Sequence, residues 1–156
     1  MVGKAFTGSG KTLAFAIPII NKIFHSDKER SRYPKCLVLA PTRELCLQLS
    51  ATIKQLAPGL KCISVYGGAG LQEQVEALQG TVDIVCATPG RLQDLMNRNS
   101  FKMHDIEIIC LDEADQLLSA NFLPQIEYLI EKSDREKQLL MFSATINKNI
   151  IGLVNE

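Results

Sequence analysis

The stretch Ala5-Phe-Thr-Gly-Ser-Gly-Lys-Thr12 stands directly before a long apolar segment, residues 13–24. Its two glycines allow the backbone to curl so that successive N–H groups point at one anion, and a helix N-terminus behind them adds partial positive charge. Lys11 can reach the β- and γ-phosphates of a nucleotide, and the Thr12 hydroxyl can ligate Mg²⁺. The alternative is a Gly/Ser turn that caps a helix by chance. The predicted phosphate-binding residues are Thr7, Gly8, Ser9, Gly10, Lys11 and Thr12.

Short apolar segments alternate with longer segments of helical period along the rest of the chain. The predicted strands are residues 36–40, 62–66, 82–87, 106–111 and 138–142. The predicted helices are residues 13–24, 42–56, 123–131 and a segment that begins at Thr88. The strands are apolar on both faces, which is typical of a parallel sheet covered by helices. The pattern predicts an α/β fold, a three-layer sandwich with helices on both faces of a parallel sheet.

Two of the predicted helices carry specific packing expectations. The segment 13–24 is apolar nearly all round, which predicts a buried helix, with a possible bend at Pro18. The segment 42–56 predicts one inward face, formed by Leu45, Leu49, Ile53 and Leu56.

Composition sets the domain count and excludes some classes of protein. The chain has 156 residues, of which 46% are hydrophobic, and this predicts a single domain over 1–156. No apolar run approaches the roughly 20 residues of a membrane span, so we expect an intracellular protein with no membrane partner, in the nucleus or cytoplasm. The five cysteines lie in apolar stretches and predict reduced core residues.

The net charge of zero hides an uneven distribution. Residues 1–60 hold nine Lys/Arg and three Asp/Glu, whereas residues 101–156 hold five and ten. A mixed, solvated surface is one interpretation. The other interpretation is that the basic part binds one anionic partner and the acidic part forms one cation site.

An acidic motif, Leu111-Asp-Glu-Ala-Asp115, follows a predicted strand. A carboxylate at a strand end can hold Mg²⁺, directly or through water, and its neighbour can orient or deprotonate an attacking water. We therefore predict catalytic roles for Lys11, Asp112 and Glu113, with Thr12 and Asp112 as the Mg²⁺ residues. The alternative is that the acids merely begin a helix, where negative charge is favourable.

Six motifs stand in the order and approximate spacing of the DEAD-box RNA helicases, which the chain resembles over almost its whole length. They are Ala5-x-Thr-Gly-Ser-Gly-Lys-Thr12, Pro41-Thr-Arg-Glu-Leu45, Gly67-Gly68, Thr88-Pro-Gly-Arg91, Asp112-Glu-Ala-Asp115 and Ser143-Ala-Thr145. Ala5 stands where the usual phosphate loop has glycine. The resemblance implies the first of two RecA-like P-loop NTPase domains that close around ATP and single-stranded RNA.

The same resemblance implies roles for the remaining motifs. The residues implied to hold the RNA backbone are Pro41, Thr42, Arg43, Gly67, Gly68, Thr88, Pro89, Gly90 and Arg91. Hydroxyls, backbone N–H groups and guanidinium groups suit phosphate oxygens, so binding should be independent of sequence. Asp115, Ser143 and Thr145 are implied to couple the ATP state to strand separation. A helix N-cap at Ser143 or Thr145 is the alternative.

The chain departs from the family pattern in three respects. The glutamine segment that recognises adenine in the family is not found upstream of the phosphate loop, and nothing resembles the second domain with its arginine residues. Asn121-Phe122 stands where the family commonly has Gly-Phe, and asparagine tolerates the positive φ of such a turn. We therefore expect a piece of a longer helicase that hydrolyses ATP poorly alone.

Three functions remain as hypotheses at this point. The first is the ATP-binding domain of an ATP-dependent RNA helicase, with ATP and Mg²⁺ as cofactors and RNA, a second RecA-like domain and protein cofactors as partners. The second is a non-processive, ATP-gated RNA clamp or scaffold without significant catalysis. The third, a nucleoside kinase or other phosphotransferase, leaves the motifs at Thr88 and Ser143 unexplained.

Overall fold

The computed structural model describes residues 1–4, 10–25, 33–133, 136–146 and 148–154. The six strands are β1 (Val2–Lys4), β2 (Cys36–Leu39), β3 (Cys62–Val65), β4 (Ile84–Ala87), β5 (Ile108–Asp112) and β6 (Gln138–Ser143). They form one sheet in the order β1-β6-β5-β2-β4-β3, and every pairing is parallel. The predicted parallel sheet is confirmed, with strand ends shifted by up to two residues.

One strand, β1, was not predicted from the sequence. It has only three residues and two are half-buried, so it shows no apolar run of its own. Its position comes from pairing with β6, in which Val2 lies opposite Met141. The pairing places the end of β1 beside the end of β6.

The described part of the chain has seven helices, of which six lie between strands and the last, α7, follows β6. They are α1 (Lys11–Phe24), α2 (Arg43–Leu56), α3 (Leu71–Leu78), α4 (Pro89–Asn97), α5 (Ala114–Leu117), α6 (Leu123–Glu131) and α7 (Lys148–Val154). The four predicted helices are present. The other three, α3, α5 and α7, have at most eight residues, too few for a clear apolar period.

The sheet separates two apolar cores because successive residues of each strand point to opposite faces. In β2, Cys36 and Val38 face the core that α1 and α2 cover. Leu37 and Leu39 face the other core, to which α3 to α7 contribute. This arrangement confirms the predicted three layers.

The expectation that α1 is buried all round is wrong. Phe15 and Ile19 are buried, but Leu13, Ile17 and Phe24 are between 45% and 52% exposed. The helix packs on the sheet and on α2 with one face, so its opposite face is left to solvent. It continues through Pro18, which lies on the exposed face.

Two smaller expectations also require correction. Leu56, predicted to lie on the inner face of α2, is 42% exposed, because the helix ends there and the buried residues Ala57 and Leu60 fill the core instead. Asn121 does not adopt a positive φ; among the described residues other than glycine, Asn99 and Glu113 do.

All five cysteines are buried as free thiols. Burial raises the pKa of the Cys46 thiol to about 12, which suits an inert core residue rather than a nucleophile. Over the described ranges, no helix is both long enough and apolar enough to cross a membrane.

Candidate active site

The carboxyl ends of the six parallel strands meet at one edge of the sheet, where open α/β folds bind their ligands. Each predicted motif follows one of these ends. Lys4 ends β1 before the phosphate loop, and Pro41 comes shortly after β2. Thr88 follows β4 directly, and Ser143 is the last residue of β6. The topology therefore brings together motifs that lie more than a hundred residues apart.

The first part of the site is a buried pair of opposite charges, Lys11 and Asp112. Lys11 is the first residue of α1 and Asp112 the last of β5, and each side chain is 7% exposed. Lys11 Nζ lies 4.0 Å from Asp112 Oδ1. Burial raises the pKa of the Asp112 carboxyl, while Lys11 and the backbone N–H of Glu113 act in the opposite direction.

The phosphate loop itself lies largely outside the described residues, which exclude Thr7, Gly8 and Ser9. Gly10 is described, with φ of 81° in the left-handed region, and it precedes α1 as its N-cap. Glycine takes this conformation without steric cost. A helix therefore begins directly behind the loop, with Lys11 and Thr12 in its first turn.

Glu113, the predicted base, has an unusual backbone conformation. Its φ of 53° lies in the left-handed region, which is uncommon for a residue with a side chain. It precedes α5 but makes no side-chain capping bond, so it is not an ordinary helix cap. Burial raises the pKa of its carboxyl, and the neighbouring carboxylates Asp112 and Asp115 raise it further, against the opposing charge of Lys11.

Gln116, which the sequence analysis did not single out, holds this carboxylate. Its side-chain Nε2 donates to Glu113 Oε2 at 2.6 Å. The three-residue spacing within one helical turn is the local signal that relates the two.

A hydrogen-bonded cluster joins Asp115 to the end of β6. Thr145 Oγ1 donates to Asp115 Oδ2 at 2.7 Å, and the backbone N–H of Thr145 donates to the same oxygen at 3.2 Å. Ser143 Oγ accepts from the backbone N–H of Asp115 at 3.2 Å and donates to the Thr145 carbonyl at 2.6 Å. Neither hydroxyl caps α7, which begins at Lys148. The cluster fixes the acidic motif to the adjacent strand.

The donor set at this edge fits a nucleotide phosphate chain with a divalent cation. Lys11, at a helix N-terminus, presents the positive charge that phosphates require, and the Thr12 hydroxyl is half-buried beside it. Asp112 is a buried carboxylate whose ionised form is destabilised by burial. A bound cation would remove that cost, so the Asp112 environment suits a metal ligand.

Arg43 and Gly68, two of the predicted RNA-binding residues, lie against each other. The Arg43 guanidinium lies over the Tyr66 ring, 5.0 Å from its centroid. Gly68 has a φ of +80°, and a Cβ placed on it would lie 3.7 Å from Arg43 Nη1. Thr42 Oγ1 caps α2 by accepting from the backbone N–H of Leu45 at 3.3 Å. The segments after β2 and β3 therefore form one surface.

The segment after β4 joins this surface through Arg91. Arg91 Nη1 donates to the carbonyl of Ala69 at 3.2 Å. Thr88 precedes α4 without a side-chain capping bond, Pro89 is the first helical residue, and the Cβ position of Gly90 is open. The Thr88 hydroxyl and the first turn of α4 are thus available to a ligand.

Gln74 is a second residue that the sequence analysis missed. Its side-chain Oε1 accepts from the backbone N–H of Tyr66 at 3.1 Å, and its Nε2 donates to the Tyr66 carbonyl at 3.0 Å. Gln74 is only 7% exposed. A polar residue on an otherwise unremarkable short helix gives no signal in one sequence.

A parallel sheet between two helical layers, with a buried lysine–aspartate pair at its carboxyl edge, defines a RecA-like domain of the P-loop type. The family model described as DEAD/DEAH box helicase matches residues 1–152. The chain belongs to the DEAD/DEAH box helicase family.

Relatives and solved structures agree with this assignment. The chain is 44% identical to "DEAD-box ATP-dependent RNA helicase 9, mitochondrial" of Arabidopsis thaliana, over 100% of this chain and 26% of that protein. It is 42% identical to "DEAD-box ATP-dependent RNA helicase CshA" of Streptococcus pneumoniae, over 94% of this chain and 28% of that protein. The chain thus spans about a quarter of the length of these curated relatives.

The solved structure of the yeast DEAD-box splicing factor Prp28 superposes with a TM-score of 0.92 at 36% identity, covering 99% of this chain and 38% of that one. A DEAD box protein from Methanococcus jannaschii gives a TM-score of 0.88 at 34% identity, covering 99% of this chain and 42% of that one. Both comparisons support the RecA-like fold over the whole described sheet.

Proposed function

We propose that this chain is the ATP-binding domain of an ATP-dependent RNA helicase that separates RNA strands or remodels RNA–protein complexes. One observation carries the proposal. The acidic motif contains both Asp112, which pairs with Lys11, and Asp115, which accepts a hydrogen bond from Thr145. Both contacts lie at the same edge of the sheet as the three segments suited to an RNA backbone. A nucleotide site and a strand site at one edge of the same sheet, with the acidic motif hydrogen-bonded to the adjacent strand end, are what a coupled machine requires.

The nucleotide would be held by the phosphate-binding residues at the start of α1. Lys11 would contact the β- and γ-phosphates, and Thr12 and Asp112 would hold Mg²⁺, partly through water. ATP with Mg²⁺ supplies a phosphoanhydride whose developing charge the cation neutralises. These residues contribute positioning and charge, which provide most of the rate in phosphoryl transfer.

Glu113 is the proposed base for the attacking water. Gln116 occupies Oε2 of its carboxylate, so we assign the proton-accepting role to Oε1. The neighbouring carboxylates and burial raise the pKa of Glu113. A carboxylate with a raised pKa is a better proton acceptor at neutral pH than an ordinary one.

RNA would bind along the surface formed by the segments after β2, β3 and β4. These segments offer hydroxyls, guanidinium groups and helix N-termini, which contact phosphate oxygens and do not read base edges. Arg43 and Arg91 already contact the turn after β3. RNA phosphates would therefore compete with these internal contacts.

The proposed partners are RNA, a second RecA-like domain and protein cofactors. The relatives and solved structures are two to five times longer than the matched region, which leaves room for a second domain that completes the ATP site. The proposed location is inside the cell, in the nucleus or cytoplasm. Relatives named as mitochondrial and chloroplastic make an organelle the alternative, and imaging of the complete protein as a fluorescent fusion distinguishes them.

The proposal is tested by RNA-stimulated ATP hydrolysis and duplex separation in the complete protein. We expect Lys11→Ala and Glu113→Gln each to reduce turnover by roughly 100-fold or more. Lys54→Ala and Glu127→Gln make the same exchanges at exposed positions on α2 and α6 and should leave turnover within about 2-fold.

Intact turnover in both site variants would contradict the assigned roles. Cooperative binding of ATP and RNA with negligible product in a single turnover would instead indicate the ATP-gated clamp. Phosphorylation of a small acceptor would indicate a phosphotransferase.

A further inference from the structure

The turn that carries Gly67 and Gly68 leaves the edge of the sheet. β3 is the last strand in the order of the sheet. The Val65 carbonyl accepts from the Thr88 N–H and so faces β4. Because successive peptide groups of a strand alternate in direction, the N–H and carbonyl of Tyr66 face away from β4, where the sheet ends.

Gln74 supplies the hydrogen bonds that a further strand would give to Tyr66. Its amide accepts from the Tyr66 N–H at 3.1 Å and donates to the Tyr66 carbonyl at 3.0 Å. A side-chain amide has the same donor and acceptor as a peptide group, so this pairing resembles one rung of a β-ladder. Both the oxygen and the nitrogen of the Gln74 amide therefore bond to the same residue, Tyr66.

The other contacts to this turn are of a different kind. Arg43 lies over the Tyr66 ring and Arg91 donates to the Ala69 carbonyl. Both guanidiniums can exchange these partners for phosphate oxygens when RNA binds. Gln74 is buried and neutral, so its amide has little contact with water and no charge that attracts a phosphate. It can hold the turn in both states.

We propose that Gln74 is a positioning residue for RNA binding, whose amide fixes Tyr66 so that Gly67 and Gly68 present their backbone to the RNA strand. The inference rests on the proposed function and deepens it, because it assigns the geometry of the RNA-binding turn to a residue on α3. Gln74 acts through the backbone of Tyr66 and does not itself contact RNA.

The test uses the complete protein with Gln74→Leu, which keeps a similar size and removes both hydrogen bonds. We expect the RNA concentration for half-maximal ATPase to rise roughly 10-fold, because a buried N–H and carbonyl lose their partners and the turn loses its fixed geometry. The KM for ATP should change by less than about 2-fold, since the nucleotide residues are on other strands. Gln72→Leu is the matched control, an exposed glutamine on the same helix whose amide donates to Glu76.

A second variant, Gln74→Glu, adds a dependence on pH that a general loss of packing would not produce. A carboxylate at this position can accept from the Tyr66 N–H but cannot donate to the Tyr66 carbonyl, whereas a protonated carboxyl does both. Burial favours the protonated form. We expect the RNA half-saturation of this variant to approach that of the wild type as pH falls from about 8 to about 6.

Amide hydrogen exchange over residues 66–70 gives a readout that does not depend on activity. Faster exchange there in Gln74→Leu, with unchanged exchange in β5 and a raised RNA half-saturation, supports the proposal. An RNA half-saturation that does not change in Gln74→Leu overturns it, whatever the exchange shows. If Gln74→Leu does not fold, Gln74→Glu carries the test. A wild-type protein without RNA stimulation would overturn the proposed function, while the exchange of residues 66–70 would still report on the positioning role.

Discussion

The hydroxyl of Thr145 donates a hydrogen bond of 2.7 Å to Oδ2 of Asp115, and its backbone N–H donates to the same oxygen. The two residues follow adjacent strands, β5 and β6, and lie 30 positions apart in the chain. Although partial burial acts in the opposite direction, the two hydrogen bonds from Thr145 and the neighbouring Ser143 hydroxyl lower the pKa of the Asp115 carboxyl. The contact therefore favours the ionised acid and ties the acidic motif to the neighbouring strand.

Replacing Thr145 by valine should separate ATP hydrolysis from strand separation. Thr145→Val keeps the shape of the side chain and removes the donor to Asp115. We expect duplex separation by the complete protein to fall by roughly 10-fold, while RNA-stimulated hydrolysis stays within about 3-fold, because Lys11, Asp112 and Glu113 are untouched. Both rates are measured on the same preparation.

Thr52→Val is the matched control for this exchange. The Thr52 hydroxyl donates to the Gln48 carbonyl within α2, away from the site. It should leave both rates unchanged. A parallel fall of both rates in Thr145→Val would show that the hydrogen bond supports the ATP site itself and is not a coupling contact.

Glu113→Gln should increase the stability of the fold while it reduces hydrolysis. Burial and the neighbouring carboxylates raise the pKa of Glu113 above its ordinary value of 4.5. A raised carboxyl pKa means that ionisation is disfavoured in the folded state. The free-energy cost of ionising Glu113 therefore destabilises the fold fully above the raised pKa and is absent below the ordinary pKa. We expect the variant to unfold at a higher temperature at pH 7, by the equivalent of less than about 1 kcal/mol for a partly exposed carboxylate.

The pH dependence provides the check on Glu113. The difference in thermal midpoint between Glu113→Gln and wild type, measured without nucleotide, should shrink as pH falls and vanish at about pH 4. Glu127→Gln, on the exposed side of α6, should show no such trend. A difference in thermal midpoint that does not change with pH would mean that the gain in stability does not come from the ionisation of Glu113.

Gly68→Ala should destabilise the protein, whereas Gly67→Ala should not. Gly68 has a φ of +80°, where an added Cβ costs about 1–2 kcal/mol. Gly67 lacks a positive φ, and nothing lies within 4 Å of its Cβ position. Denaturant unfolding of the two variants measures the difference. Equal stability would mean that Gly68 does not require its left-handed conformation.

The two faces of α1 should respond differently to the same exchange. Ile19 is 3% exposed and Ile17 is 49% exposed. We expect Ile19→Ala to cost about 2–5 kcal/mol through loss of buried surface and the cavity left behind. Ile17→Ala should cost less than about 1 kcal/mol. Similar losses for both variants would mean that the outer face of α1 is covered in the complete protein.

The sequence alone determined the class of fold and indicated most of the residues of the proposed site. Apolar strands of four to six residues, alternating with helical segments, required a parallel sheet with two helical layers, because both faces of each strand need cover. The motif at Lys11 and the acidic motif at Asp112 indicated phosphate and metal chemistry through residue type and position at element ends. These properties depend on neighbours close in the chain.

The tertiary structure decided what depends on distant neighbours. β1 is a strand only because it pairs with β6, and α1 exposes one face because the sheet and α2 cover the other. Arg91, predicted to face RNA, donates to the Ala69 carbonyl. The role of Gln74 follows only from its two bonds to Tyr66. Local periodicity records which residues prefer burial, but strand order and side-chain partners arise from packing between segments far apart in the chain.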